Sequence, residues 1–434
     1  MNKVNSFIMK QQSLFILILL TLFSSALISI IMPMAKEVAQ ALNLESEAQV
    51  QIINSMFLIV GACSSIIWAI LGDKFSRKKM LIIGTLIWSI FTFFTIFSTD
   101  FYSLLLFQLI AAVGFGSALP LTFSILVDLA EIENRGKFFG ILSAAYVLGN
   151  GLGHILSGSL IDYYPWTLSF IIIATGGFIC TISLFFMKEP IRGGMDISSD
   201  IADESVLGLS FKIKLKDVKK IWQKKTIFFI LIFNFAMFIA IGAISSNFIS
   251  MLKNDYKFTS STATLILVMI FGSQIISGPV IGKIADKRME KKKTGRMTIV
   301  LMCLIGGATM YIIAFSLILP TTSIIAFFMF FLVLFIGAFL FGGIDPLTQA
   351  TLGDTSPPQI RSTVYSLNFL AYTFGRSISI LFCAYLFLSF NDYYRPGYLI
   401  LSILALMCSL VVIMILQKLP HDLDTMKNGN LETN

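Results

Sequence analysis

Residues 69–79 read AILGDKFSRKK, with five charges packed between Asp73 and Lys79. The 23 residues before Asp73, Val50 to Gly72, carry no charge, and the next charge after Lys79 is Asp100. About 20 apolar residues as a helix cross a ~30 Å hydrocarbon core, so the run is a membrane span and the basic knot marks its edge. Working outward from this stretch, apolar runs of the same kind recur at 12–35, 80–98, 101–127, 138–161, 166–187, 226–252, 258–282, 297–319, 322–346, 362–389 and 397–417. With 50–72 they make twelve helices. The charge-free stretch from Met297 to Ile344 is too long for one crossing and is divided at Pro320, which cannot continue a helix.

Composition agrees. Hydrophobic residues make up 56% of the 434 and charged residues 13%, against roughly 25% charged in a soluble domain. The first apolar run exceeds the 7–15 residues of a signal-peptide core and no A-x-A site follows it, so it reads as a retained helix. All five cysteines (Cys63, Cys180, Cys303, Cys383 and Cys408) fall inside spans, which argues against disulfides and against a cysteine metal site.

Charge fixes the orientation. With the N-terminus inside and the helices alternating, 27 of the 32 Lys and Arg fall on one side. Four (Lys36, Lys253, Lys257 and Arg395) fall on the other, and Arg376 lies within a span. The positive-inside rule reads the basic side as cytoplasmic, with both termini inside. The net charge of +8 therefore reflects topology, and no nucleic-acid partner is expected.

The chain also repeats itself. Asp73-Lys74 after the second span has a counterpart in Asp286-Lys287 after the eighth, each preceded by small and branched residues and followed by cations. A shift of 226 residues aligns Gly116 with Gly342, Pro120-Leu121-Thr122 with Pro346-Leu347-Thr348, Leu126 with Leu352, and Asp128 with Asp354. The same shift aligns Arg135 with Arg361, Ala145-Tyr146 with Ala371-Tyr372, and Gly149 with Gly375. The expected fold is an all-α integral membrane protein with twelve transmembrane helices in two pseudo-symmetric six-helix bundles. The N-terminal bundle covers 1–187 and the C-terminal bundle 226–417. Between them, 188–225 is a cytoplasmic linker in which Phe211, Leu215, Val218 and Trp222 form an apolar stripe at helical period. That stripe suits an interfacial helix that braces the bundles, or a plain charged linker. Residues 418–434 are a polar cytoplasmic tail.

These features resemble the major facilitator superfamily over essentially the whole length. Its cytoplasmic signature, roughly G-x-L-a-D-[RK]-x-G-R-[RK], is matched from Ala69 to Lys78, with Ala69 and Ser76 where glycines are usual. The resemblance implies a gating role for Asp73 and Arg77, with Asp128 and Arg135 as partners and Asp286, Asp354 and Arg361 as the second copy. The physics agrees, since a carboxylate at a helix end can face the positive N-terminus of a neighbouring helix. In the fifth span Gly140, Gly149, Gly153, Ser157 and Gly158 keep the spacing of the family's antiporter motif, with His154 in place of its proline. Small residues on one helix face also serve close packing alone. The arginine that proton-linked members carry in the fourth span is replaced here by Gln108.

Other candidates come from the residues themselves. Asp345 and Arg376 are the side chains within spans that are charged at neutral pH, and such residues usually face a cavity and serve function. Their counterparts under the 226 shift are Leu119 and Asn150, so the charges belong to one copy. They either form a structural pair or handle substrate and ion. His154 is the one histidine within a span, and histidine is the usual side chain for proton exchange. It lies 19 residues past Arg135, about 28 Å along the helix, which permits proton exchange with the outside or an ordinary interfacial histidine. No H-E-x-x-H, G-x-S-x-G or P-loop is present, so an enzyme is not expected, nor is a cofactor or metal. Two copies of six spans favour a secondary transporter in the cell membrane, driven by an H⁺ or Na⁺ gradient or facilitative; a receptor or channel is the other class. Scattered polar residues among many phenylalanines suit a small amphiphilic or organic solute, with efflux or antiport favoured by the resemblance. The Asp-x6-Arg after the fourth span is loosely similar to the spinster branch, which implies a lysolipid or sphingolipid. Membrane lipids are the remaining partners, and a monomer is expected.

Overall fold

The computed structural model describes residues 2–44, 47–161, 163–193, 224–246, 248, 251–252, 256, 258, 260–316, 324–357, 360–389 and 394–429. The stripe from Phe211 to Trp222 and the break at Pro320 lie outside these residues. Every regular element among the described residues is helical. A chain immersed in hydrocarbon must satisfy its backbone polar groups internally, and a helix does so within one segment.

The first half runs through α1 (Asn2–Ser29), α2 (Ala35–Ala41), α3 (Glu47–Lys74), α4 (Arg77–Phe94), α5 (Phe101–Phe115), α6 (Ala118–Leu129), α7 (Arg135–Leu160) and α8 (Thr167–Phe186). The second runs through α9 (Lys225–Ser246), α10 (Ser260–Lys291), α11 (Gly295–Ser316), α12 (Ile324–Gly342), α13 (Ile344–Thr355), α14 (Arg361–Ser389), α15 (Arg395–Met407) and α16 (Ser409–Gly429). Eleven candidate spans long and apolar enough to cross a membrane are found among the described residues. The 29-residue α14 stands at the remaining expected position.

Local chemistry starts and stops the helices. Ser76 caps α4 by accepting the Lys79 N–H at 3.1 Å. Asp100 caps α5 through a reciprocal box with Ser103, and the Ser103 N–H holds the Asp100 carboxyl below the usual carboxylate range. Three expected single helices are broken. The fourth divides into α5 and α6 around Gly116-Ser117, and the tenth into α12 and α13 at Gly343, continuing to Thr355 rather than ending at 346. A close neighbour occupies each break. A Cβ on Gly116 would lie 2.1 Å from Ser64 Oγ, and one on Gly343 2.6 Å from the Ile281 side chain. Pro120 and Pro346 then sit in the first turn of α6 and α13, where a missing N–H costs nothing. The twelfth divides at Cys408, and α16 carries the helix to Gly429, well into the stretch expected as a polar tail.

The chain forms two compact units that do not coincide with the continuous sequence halves. The first is 1–132, 145–217 and 357–370; the second is 133–144, 218–356 and 371–434. Thus α7 begins in the second unit and α14 in the first. Within the first unit α4 packs on α5 and α8, α3 on α5, and α1 on α8. The second repeats this as α11 on α12 and α15, α10 on α12, and α9 on α15 and α16.

Glycines set the closest approaches. A Cβ on Gly140 would lie 2.3 Å from the Gly278 carbonyl in the second unit. In the first, one on Gly149 would meet the Leu22 carbonyl at 2.2 Å, and one on Gly153 the Ala26 carbonyl at 2.5 Å. Gly158 is exposed, with Pro33 Cβ at 3.8 Å as its neighbour. Backbone cannot give way as a side chain can, and overpacking of this kind costs about 1–3 kcal/mol. Gly140→Ala is therefore expected to lower the melting temperature of the purified protein by several degrees, and Gly158→Ala to leave it unchanged.

Candidate functional site

Asp73 ends α3 with its side chain buried. Its Oδ1 accepts the Ser362 N–H at 3.0 Å, and Oδ2 accepts the Thr363 N–H at 2.8 Å and the Thr363 hydroxyl at 2.7 Å. Ser362 and Thr363 open α14, so the donors are unsatisfied first-turn amides at the positive end of a helix. Nearby, Arg77 Nη2 pairs with Asp128 at 2.6 Å, and Arg361 pairs with the other Asp128 oxygen. Arg77 Nη1 also donates to Ser124 Oγ at 2.9 Å. All of these residues belong to the first unit.

The second unit holds the same device. Asp286 accepts the Gly136 N–H at 3.1 Å and the Lys137 N–H at 2.8 Å, from the first turn of α7. Gly136 and Lys137 are the 226-residue counterparts of Ser362 and Thr363. Arg135 pairs with Asp354 at 2.6 Å, and Arg296 pairs with both Asp286, at 2.7 Å, and Asp354. The copies differ in what reinforces the carboxylate. Asp73 has the Thr363 hydroxyl, whereas Asp286 has the Arg296 guanidinium.

This corrects the expected grouping. Arg135 pairs with Asp354, and Arg361 pairs with Asp128, so the two arginines are exchanged relative to that grouping. Each Asp-x6-Arg runs across a turn, from the end of one helix to the first residue of the next. Because α7 and α14 begin in the unit opposite to the preceding helix, each arginine meets the other copy's aspartate.

A segment not singled out in the sequence completes the first cluster. Glu189 accepts the Arg77 N–H at 2.7 Å and the Ser76 hydroxyl. Arg192 donates to the carbonyls of Gly72, Asp73 and Phe75, capping the end of α3. Burial pushes the Arg192 guanidinium below its ordinary pKa and the Arg77 charge adds to this, with Asp73, Glu189 and Asp128 opposing. Gly193 has a φ of 67°, a left-handed turn that suits glycine, and its N–H reaches Asp128 Oδ1 at 3.1 Å. Asp128 thus balances two buried guanidiniums. Removing one partner of a buried ion pair costs about 3–5 kcal/mol, so Asp128→Ala is expected to lower stability by that amount in a denaturation assay. Lys79→Ala, at an exposed position, is expected to leave it unchanged.

Asp345 sits in the first turn of α13 and accepts a hydrogen bond from Gln349 Nε2 at 3.1 Å, on its own helix. It edges a cavity of about 30 Å³ with Asn234, Phe238, Ile241 and Phe341, roomy enough for one water. No ion pair joins Asp345 to Arg376 among the described residues. The two are nevertheless brought to the same helix. The α14 backbone lies on α9, where a Cβ on Gly375 would be 2.5 Å from the Phe235 carbonyl and one on Gly242 3.0 Å from Arg376 Cα. Phe238 connects the two places, lining the cavity and packing at a tilt against Tyr372 with ring centres 5.1 Å apart.

The remaining candidates lie in the first unit. Gln108 is buried and donates to Thr95 Oγ1 at 2.9 Å. Asn150 Nδ2 bonds the Tyr146 carbonyl at 3.1 Å, and its own carbonyl accepts the Ser29 hydroxyl at 2.9 Å. His154 is exposed, with Nδ1 2.9 Å from that same Asn150 carbonyl. His154 and Gln108 thus belong to the first unit and Asp345 and Arg376 to the second.

Duplicated spans with a repeated carboxylate-on-helix device define a multi-pass membrane protein of two related halves. The sequence profile of the Major Facilitator Superfamily matches residues 14–332 and again 230–430. The chain belongs to that family. It is 25% identical over 239 residues to the efflux pump dotC of Dothistroma septosporum, covering 53% of this chain and 41% of that one. It is 24% identical over 195 residues to the riboflavin transporter RibZ of Clostridioides difficile, covering 44% and 43%. The chain thus spans less than half the length of these curated relatives. Among solved structures, the human organic anion transporter MFSD10 superposes with a TM-score of 0.68 at 14% identity over 92% of this chain and 99% of that one. The proton:xylose symporter XylE superposes with a TM-score of 0.70 at 14% identity, over 96% and 98%. These two likenesses establish the fold.

Proposed function

We propose that the protein is a secondary transporter of the cell membrane that exports a small amphiphilic organic solute, with anions favoured, by alternating access in exchange for an ion. The observation that carries this is the doubled device. Asp73 and Ser362–Thr363 come from different sequence halves, as do Asp286 and Gly136–Lys137, and the two sets are in register under the 226-residue repeat. Bonds between a carboxylate and helix-end amides can break and re-form without covalent chemistry, which suits a cycle of opening and closing. The names of the relatives, an efflux pump and a riboflavin transporter, support an organic solute. Arg376 in a membrane helix supports an anionic group on it.

The test is flux in proteoliposomes holding the purified protein. Organic anions, riboflavin among them, and a neutral sugar are offered under an imposed pH or sodium gradient. Gradient-dependent flux of an organic anion that collapses with an ionophore is the expected result. Flux confined to the sugar, or insensitive to either gradient, contradicts the reading.

A further inference from the structure

At the cytoplasmic end of the first unit, the start of α4 and the end of α8 enclose a groove of about 590 Å³, within the ~300–1,000 Å³ of ligand pockets. Lys78, Lys79 and Lys188 line it together with Ile82, Phe185 and Phe186. Lys78 is held in place by donating to the Phe185 carbonyl at 2.8 Å, which leaves two of its N–H donors for another partner. Lys79 and Lys188 are exposed. The one carboxylate in the lining, Glu189, already accepts the Arg77 N–H and the Ser76 hydroxyl. The groove is therefore positive and short of an anion. Phe185 and Phe186 are 63% and 70% exposed, an apolar surface at the end of a spanning helix that an acyl chain can cover.

The lysines are not part of the duplicated device. Setting Arg77 against Arg296, the pair at the start of α4 and α11, puts Met297 and Thr298 where Lys78 and Lys79 stand. A cation at the comparable end of the second unit, Lys293, pairs with Asp424. Three ammonium groups beside an apolar wall, at the end of one spanning helix and the start of another, match one ligand. We infer that the groove binds an anionic phospholipid, its phosphate between Lys79 and Lys188 and an acyl chain along Ile82, Phe185 and Phe186. A soluble phosphate satisfies the lysines and leaves the aromatic wall bare.

Native mass spectrometry of the full-length protein, titrated with phosphatidylglycerol and separately with phosphatidylcholine, tests this. One tightly bound phosphatidylglycerol and markedly weaker phosphatidylcholine are expected. Each interfacial lysine contributes about fivefold, so K79Q/K188Q weakens phosphatidylglycerol binding roughly 30-fold, whereas K79R/K188R retains it. K291Q/K292Q, which removes two cations exposed elsewhere, leaves binding unchanged. Melting curves confirm that each variant is folded; should K79Q/K188Q not fold, Phe186→Gln carries the test and must also weaken binding. Equal binding of the two lipids, or wild-type binding of phosphatidylglycerol by folded K79Q/K188Q, overturns the assignment. So does inorganic phosphate that occupies the same lysines and displaces the lipid.

Discussion

Asp73→Asn yields a folded, inserted protein whose transport falls by about 10- to 100-fold, because a hydrogen bond to a charged group contributes about 1.5–3 kcal/mol. The carboxylate accepts three hydrogen bonds, from two amides of α14 and one hydroxyl. Asparagine keeps one acceptor oxygen and replaces the other with an NH₂ that is itself a donor. Turned toward Thr363, that NH₂ meets an N–H at 2.8 Å; turned toward Ser362, it meets another at 3.0 Å. Either orientation sets donor against donor, and the charge that the helix N-terminus favours is gone. Nothing in this requires the protein to unfold, since Asp73 loses only a charge and no volume. Thr363→Val, which deletes one donor and leaves the carboxylate with both amides, is expected to have a smaller effect of the same sign. Initial flux into proteoliposomes, normalised to inserted protein and accompanied by melting curves, reads all three proteins. Wild-type flux in a folded Asp73→Asn variant removes the gating role.

The spans and their duplication were legible in the sequence because hydrocarbon imposes a length and a polarity on each helix, and the 226-residue shift preserves both. Asp73, Asp128 and their copies were legible for the same reason, since a charge at a span boundary stands out against a charge-free run. Which arginine meets which aspartate was not. The resemblance grouped Arg135 with Asp73, Arg77 and Asp128, whereas three-dimensional pairing depends on where the next helix starts, and no local signal in Asp-x6-Arg reports that. Arg296 lay hidden in a basic run that reads as a topology marker until it is set against Arg77 as the start of a helix. Glu189, Arg192 and Gly193 belong to no repeat, and a Glu-x2-Arg-Gly stretch at the head of a charged linker carries no periodicity. The helix breaks at Gly116 and Gly343 were also invisible to hydropathy, because both sides of each break are equally apolar. The repeated proline three residues into α6 and α13 was the available sign.

Arg376→Ala is expected to weaken binding of the transported solute about 30-fold or more, the ~2–5 kcal/mol lost when one partner of a buried hydrogen-bonded charge pair is truncated. An arginine in a spanning helix costs at least ~2.5–3.5 kcal/mol on insertion scales, and a purely scaffolding residue offers no return for that cost. Arg376 is partly exposed within its helix, and its Cα presses on Gly242 of α9, where even a methyl group would meet it at 3.0 Å. Asp345 does not neutralise it among the described residues; that carboxylate takes Gln349 on its own helix and borders the small cavity beside Phe238. Under the proposed function Arg376 holds an anionic group of the solute, while Asp345, on a helix that meets the same third helix, carries a proton. Under this arrangement Arg376→Lys keeps a measurable fraction of binding, since the charge survives and the guanidinium fork does not. Asp345→Asn spares binding and alters the dependence of flux on the imposed pH gradient. A charge-swapped protein, Asp345→Arg with Arg376→Asp, decides between solute handling and structure. Normal flux from the swapped protein shows that neither charge handles the solute. Loss of flux with an unchanged melting temperature shows that they act on what passes between them.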